Sequence, residues 1–161
     1  MNLKIREIQP QDNVSAATMI RSVFDEFNAP KEGTVYTDAS TDALFELFEK
    51  ENKSKFWVIA EDHHIYGSCG IYPTQDLSQG TVELVKFYIS AQARGQGYGK
   101  KLLDIAIQEA KNLGYKSIYL ETITLFGKAM DMYTQRGFKF LEEPLGNSGH
   151  FACEIKMLKE F

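Results

Sequence analysis

Residues 83–103 constrain the fold of this chain more than any other segment. Their sequence is ELVKFYISAQARGQGYGKKLL. Apolar residues alternate at Val85, Phe87 and Ile89, which predicts a strand. After a polar turn and a run of glycines, apolar residues recur at helical spacing from Leu102 onward. The segment therefore predicts a strand, a glycine-rich turn and a helix in direct succession.

The glycine-rich turn has the properties of an anion-binding site. Gly95, Gly97 and Gly99 let the backbone approach a ligand closely and adopt dihedrals that other residues avoid. The first N–H groups of the following helix have no partner within the helix and lie at the positive end of its dipole. A phosphate group is the ligand that such a helix start favours.

The spacing of the glycines decides between classes of phosphate site. A dinucleotide-binding turn needs glycine at position 100, where this chain has Lys100. A P-loop needs glycine at position 94 and Ser or Thr at position 101, and the chain has Arg94 and Lys101. A nucleotide-binding module is therefore disfavoured. The pattern Arg94-x-x-Gly97-x-Gly99 instead resembles the coenzyme A pyrophosphate loop of the GNAT superfamily of N-acetyltransferases.

A second motif downstream is similar to the same family. Residues 129–138 match the GNAT pattern A-x-x-x-Y-x-x-x-G-F. The family's tyrosine points its hydroxyl at the coenzyme sulfur, so the resemblance implies that Tyr133 is the general acid that protonates the leaving thiolate. The chain departs from the family at Phe126, three residues before Ala129, where many members place an asparagine that contacts the pantetheine arm.

Acyl transfer to an amine also needs a proton acceptor, because a free alkylamine has a pKa of about 10.4. A carboxylate can accept that proton directly or through water. Glu83 lies six residues before Ile89, at the position where histone-acetyltransferase-type GNAT members keep a glutamate base. The resemblance implies direct attack in a ternary complex with Glu83 as base. A solvent-facing Glu83, with water or His150 as the base, remains an alternative.

The resemblance also implies which residues bind acetyl-CoA. Main-chain N–H groups of the strand before the loop serve the acyl oxygen in the family. The expected cofactor-binding residues are Phe87, Tyr88, Ile89, Arg94, Gly95, Gln96, Gly97, Tyr98, Gly99, Lys100, Phe126, Ala129 and Tyr133.

The acceptor side of the site is less well marked. The expected residues there are His150, Tyr36 and Tyr72. A hydrogen-bonded loop histidine is the alternative for His150. No metal site is expected, because His63 and His64 are adjacent in a predicted hairpin and their side chains diverge.

The order of predicted elements is β-α-α-β-β-β-α-β-α-β-β, which indicates the α+β (mixed α/β) class. No internal repeat or linker interrupts residues 1–161, so a single domain is expected. The same order matches the GNAT fold, which implies a central mixed sheet of about seven strands with four helices. The last strand is predicted over residues 151–158, where apolar residues share one face.

Composition excludes several classes of protein. A net charge of −4 argues against a general nucleic-acid binder. No apolar run is long enough for a membrane span, and the first residues lack the apolar region of a signal peptide. Cys69 and Cys153 do not form a disulfide framework. A cytoplasmic protein is the expectation.

These patterns together predict an acetyl-CoA-dependent N-acyltransferase that acts on a primary amine of a small molecule, amino acid or peptide. Acetylation of a protein N-terminus or lysine is an alternative. An acyl-CoA sensor without turnover is an alternative of another class, in which Glu83 and Tyr133 are structural. Because family members often dimerise, the resemblance also favours a homodimer.

Overall fold

A seven-stranded mixed sheet organises the computed structural model, which describes residues 1–161. The strands are β1 (Lys4–Glu7), β2 (Lys55–Glu61), β3 (His64–Tyr72), β4 (Thr81–Ile89), β5 (Ser117–Thr122), β6 (Lys139–Leu141) and β7 (Ile155–Glu160). Their order across the sheet is β1-β2-β3-β4-β5-β7-β6. Only β4 and β5 pair in parallel, and the other neighbours are antiparallel.

Four α-helices connect and cover the strands: α1 (Asn13–Glu26), α2 (Leu44–Glu49), α3 (Tyr98–Asn112) and α4 (Gly127–Gln135). The β4-α3-β5 unit is the crossover that a parallel strand pair requires. None of these helices combines the length and apolarity that crossing a membrane demands. The element order and the mixed sheet confirm the predicted α+β class.

Two hydrophobic clusters cover the two faces of the sheet. On one face, α3 buries Leu102, Leu103 and Ala106 at helical spacing. On the other face, α1 buries Ile20 and Phe24. The sheet thus separates two apolar cores, and a ligand that enters between its strands contacts both.

The last strand begins later than the sequence predicts. The sequence predicts residues 151–158, but residues 151–152 form a turn, residues 153–154 are irregular and β7 starts at Ile155. Phe151 is 83% exposed, and its ring packs against Gly33. The apolar alternation that suggested an earlier start therefore does not correspond to a buried strand face. Cys153 lies in a loop as a result.

Candidate active site

A cleft opens in the sheet where β4 and β5 separate. The two strands pair from Thr81, opposite Ser117, to Leu84, opposite Leu120, and no further. The last five residues of β4, 85–89, therefore have no partner on that edge. An unpaired strand edge presents free N–H and C=O groups. The predicted cofactor residues Phe87, Tyr88 and Ile89 lie on this free edge.

A β-bulge lies at the point where the strands part. Between Ser68 and Gly70 of β3 the register with β4 shifts by one residue. The extra residue brings Lys86 into the left-handed region, with φ of 53°. Its carbonyl oxygen accepts a hydrogen bond of 2.7 Å from the Ser68 hydroxyl. Such bulges redirect side chains next to functional sites.

The glycine-rich turn forms an open cradle at the start of α3. Gly95 and Gly97 have φ values of 75° and 83°, and a Cβ added to either would meet no atom within 4 Å. Gly97 caps α3 without a side-chain hydrogen bond, and Lys101 makes the first intrahelical bond, to the carbonyl oxygen of Gly97 at 3.2 Å. The N–H groups of residues 98–100 have no helical partner. This open, positively polarised turn fits a diphosphate.

Gly99 has a different reason to be glycine. A Cβ at this position would lie 2.9 Å from Cδ1 of Ile89 and 3.4 Å from Cε of Met132. Gly99 therefore allows α3 to pack closely against β4 and α4, while its N–H remains part of the cradle.

The Arg94 side chain stabilises the loop. Its guanidinium forms two hydrogen bonds with the Glu26 carboxylate, at 2.6 and 2.8 Å, and Nε donates to the Ile89 carbonyl oxygen at 2.8 Å. It also lies 5.0 Å from the ring centroid of Phe27. Arg94 thus links the loop to the end of α1. Its contact with a pyrophosphate remains a prediction, and that contact would compete with Glu26.

The other polar side chains of the loop also turn away from the cradle. Gln96 donates to the Gln92 carbonyl oxygen at 2.7 Å, and the Tyr98 hydroxyl donates to the Leu3 carbonyl oxygen at 3.1 Å. Lys100 is exposed to solvent. Gln96 and Tyr98 would therefore contact a phosphate through the main chain.

Several of the residues that the sequence selected for the site line the cleft. They include Glu83, Phe126, Ala129, Tyr133 and His150. Phe126 packs edge-on against Phe24 and Tyr88, with centroids 5.6 and 5.8 Å apart, and so forms part of an aromatic wall.

Tyr36 and Tyr72, expected on the acceptor side, do not line the cleft. The Tyr36 ring packs against Phe24 and beside the Lys31 ammonium, which is 4.6 Å from its centroid. Tyr72 packs edge-on against Phe48 at 5.4 Å. Their role in binding an acceptor remains a prediction without support from the position of the two rings.

Glu83 is buried in the cleft wall, with 3% of its surface exposed. It accepts a hydrogen bond from the Thr74 hydroxyl. Burial raises its pKa to about 7, and the charge of Glu121 adds to the rise, while Thr74, His150 and Lys86 oppose it. A carboxyl group with this pKa can change protonation state near neutral pH.

Tyr133 lines the opposite side of the same cleft, with 4% of its surface exposed. Its ring packs between those of Phe87 and Phe138, at centroid distances of 5.9 and 5.7 Å. Burial raises the pKa of its phenol well above the ordinary value, and Cys69 adds to the rise. Tyr133 therefore keeps its proton at neutral pH.

A polar network surrounds His150 at the cleft. His150 Nε2 lies 2.6 Å from Asp38 Oδ2, and the backbone N–H of His150 donates to the Ser148 hydroxyl at 3.1 Å. Ser148 in turn donates to Glu121. Burial raises the pKa of Asp38, but the hydrogen bond and charge of His150, with the charge of Lys86, outweigh it and leave that pKa below its ordinary value.

Sequence reasoning missed Lys86, Glu121 and Thr74 as parts of this site. The signal for Lys86 is a change of phase in β4. Leu84 and Phe87 contact the same apolar cluster although they are three positions apart along the strand. Strict alternation puts such positions on opposite faces, so the change indicates one extra residue.

Comparison with known proteins places this geometry in a family. The model of the Acetyltransferase (GNAT) family matches residues 20–138. The chain belongs to this family. The match confirms the family predicted from the two motifs and classes the chain with the acyltransferases. Acetyl-CoA is the cofactor of the family, as predicted.

Two relatives among curated proteins show how far the likeness extends. Uncharacterized N-acetyltransferase YjgM of Escherichia coli K12 is 32% identical over 157 residues, 97% of this chain and 93% of the relative. Human N-acetyltransferase 8 is 31% identical over 119 residues, 70% of this chain. The match spans about half of the human protein, 52% of its length.

Solved structures share the fold at low identity. A GNAT-family acetyltransferase from Staphylococcus aureus Mu50 superposes with a TM-score of 0.84 at 23% identity, over 98% of both chains. The putative acetyltransferase yncA of Salmonella typhimurium, solved with acetyl-CoA, gives a TM-score of 0.75 at 18% identity, over 99% of this chain and 94% of its own. The GNAT fold thus accommodates this sequence from end to end.

Proposed function

We propose that this GNAT protein is an acetyl-CoA-dependent N-acyltransferase whose acceptor is a primary amine of a small molecule, amino acid or peptide. The observation that carries the proposal is that a buried carboxyl group, Glu83, and a buried phenol, Tyr133, line one cleft beside the glycine cradle. The first can accept a proton and the second can donate one. Transfer is direct, within a ternary complex. The proposal includes the cytoplasmic location that the sequence favours and the homodimer that the family resemblance favours.

The cradle and the free edge of β4 are the groups that would hold the cofactor. Main-chain N–H groups of residues 98–100 suit the diphosphate, and those of residues 87–89 suit the pantetheine arm and the acyl oxygen. When bound, acetyl-CoA supplies the acetyl group, whose bond to sulfur is exchanged for a bond to the amine nitrogen.

Glu83 and Tyr133 account for both proton movements. An alkylamine in water is almost fully protonated at neutral pH, because its pKa is about 10.4. Glu83, with a pKa of about 7, accepts the proton that the amine must lose. Tyr133 holds a proton on its phenol oxygen and donates it to the departing sulfur. The ammonium form of the acceptor loses two protons in becoming an amide, one to solvent before attack and one to Glu83 during transfer. The sulfur gains the proton of Tyr133, and exchange with solvent then moves the proton from Glu83 back to Tyr133, so one proton is released overall.

Free thiol release measured across a panel of amines tests the proposal. Tyr133→Phe should lower kcat by about 100-fold, the usual contribution of one proton-transfer group. Its Kd for acetyl-CoA should stay within about twofold of wild type, because the ring is kept. Tyr115→Phe is a matched control, since Tyr115 is also buried but donates to the Lys53 carbonyl oxygen outside the cleft.

Two outcomes would count against the proposal. Wild-type kcat in Tyr133→Phe would remove Tyr133 from its role. Binding of acetyl-CoA without thiol release from any amine would favour the sensor alternative.

A further inference from the structure

Lys86 is a cationic residue of the cleft that the proposed transfer does not use. It lines the cleft at the bulge of β4, near the start of the free edge. Only 7% of its surface is exposed. A positive φ at a residue other than glycine costs free energy and is held in place by the surrounding structure.

The other charged groups around Lys86 already have partners. Asp38 pairs with His150, and Glu83 accepts the Thr74 hydroxyl. The Lys86 ammonium takes part in none of the ion pairs or side-chain hydrogen bonds of the structure. Burial lowers its pKa, and the charges of Asp38 and Glu83 oppose the decrease. The ammonium nitrogen keeps some exposure to the cleft that Lys86 lines, so an anionic group of a ligand can pair with it there.

The charges along the cleft wall are arranged in two groups. Glu83 and Glu121 lie on neighbouring strands and on the same face, since Glu83 is opposite Tyr119 and Glu121 is two residues further on. They form a negative region suited to an ammonium group. Lys86, three residues after Glu83, forms the positive region. A molecule with an amine and a nearby carboxylate complements both.

We propose that Lys86 binds a carboxylate of the acceptor, so that the preferred acceptors are free α-amino acids rather than uncharged amines. This inference rests on the proposed N-acyltransferase function and narrows its acceptor class. The acceptor amine lies at Glu83, which takes its proton, and the acceptor carboxylate pairs with the Lys86 ammonium. The carboxylate supplies the partner that the folded chain lacks.

Amino acids and their α-carboxamides provide the test, because each pair shares the side chain and the amine but differs in the anionic group. We expect Lys86→Met to lower kcat/KM for the amino acids by about tenfold or more, mainly through KM. For the carboxamides, kcat/KM should change by less than about threefold when it is measured at about pH 9, where Glu83 is ionised with or without the charge of Lys86. Lys86→Arg should restore part of the preference for amino acids over carboxamides. Because the amines of an amino acid and its carboxamide differ in pKa, the ratio of their kcat/KM values is compared between variants at one pH.

Different failures have different meanings. Equal losses for acids and amides in Lys86→Met, or a wild-type enzyme that prefers the amides, would overturn the role of Lys86 and leave the N-acyltransferase proposal intact. No thiol release with any amine would overturn both. Acetyl-CoA should raise the melting temperature of each folded variant. If acetyl-CoA does not raise the melting temperature of Lys86→Met, then Lys86→Gln is compared instead. The preference of the wild-type enzyme for amino acids over carboxamides then also tests the role of Lys86.

Discussion

At Glu83, burial gives an ordinary carboxyl group a pKa suited to catalysis. The charged form loses its hydration in the cleft wall, and the nearby Glu121 disfavours it further. The Thr74 hydroxyl and the positive charges of Lys86 and His150 prevent a larger rise. A carboxyl group with a pKa of about 7 is partly ionised near neutral pH and, in the proposed role, basic enough to accept a proton.

The pH dependence of the rate should report this group. For wild type, kcat/KM should rise with pH through about 7 as Glu83 ionises. Glu83→Gln should lower kcat by about 100-fold or more and lose this ionisation from the profile. The same substitution at the exposed Glu49 of α2 should leave the profile unchanged. A wild-type profile in Glu83→Gln would assign the base to another group.

The same shift predicts a stability difference of definite sign. The pKa of Glu83 rises from 4.5 to about 7 on folding, so between these values the folded state binds more protons than the unfolded state. Wild-type stability therefore falls as pH rises through this window. Glutamine at this position does not ionise, so the melting temperature of Glu83→Gln minus that of wild type should increase as the pH rises from 4.5 to 7.

At the scale of elements, the glycines at the start of α3 combine two properties, a positive φ and open space beside the Cα atom. Gly95 and Gly97 both have positive φ, and both face open space. A side chain at either position would add strain and would occupy part of the cradle. Gly114, at the other end of α3, has φ of 88° and also faces open space. The two ends therefore share backbone geometry and differ in function.

This pair of glycines gives a matched test of the cradle. Gly97→Ala and Gly114→Ala should each cost about 1 kcal/mol of stability, because alanine is disfavoured at positive φ. Only Gly97→Ala should weaken acetyl-CoA binding, by about tenfold, because its Cβ enters the phosphate site. Isothermal titration calorimetry measures both affinities. Equal affinities would show that the cradle does not hold the cofactor.

The sequence predicts elements well where periodicity and glycine agree. β4, the glycine-rich turn and α3 follow one another as the sequence predicts. The bulge at Lys86 was missed because it depends on pairing with β3, a long-range contact. The last strand was predicted too early because Phe151 belongs to an alternating run yet lies at the surface.

Motif resemblance identified part of the cleft and left several of its polar residues unidentified. Glu83 and Tyr133 were selected by their spacing to the two motifs, and both line the cleft. Thr74 lies in the loop before β4 and Glu121 on β5, and each comes near Glu83 only in the folded sheet. Local sequence carries no signal for such contacts.

On the scale of the whole molecule, the separation of β4 from β5 opens a single cleft that borders both hydrophobic cores. Tyr133 belongs to the core under α3 and α4, whereas Tyr88 and Phe126 pack against the core under α1. The ion pair between Arg94 and Glu26 joins the glycine-rich loop to α1 across this opening. The cleft is therefore lined by residues of both cores.

The most direct test of this account is a crystal structure of the protein grown with coenzyme A. We expect the diphosphate to accept hydrogen bonds from the N–H groups of residues 98–100, with the pantetheine arm between β4 and β5 and the sulfur beside Tyr133. A diphosphate bound elsewhere, or a pantetheine arm that does not enter between the two strands, would contradict the account.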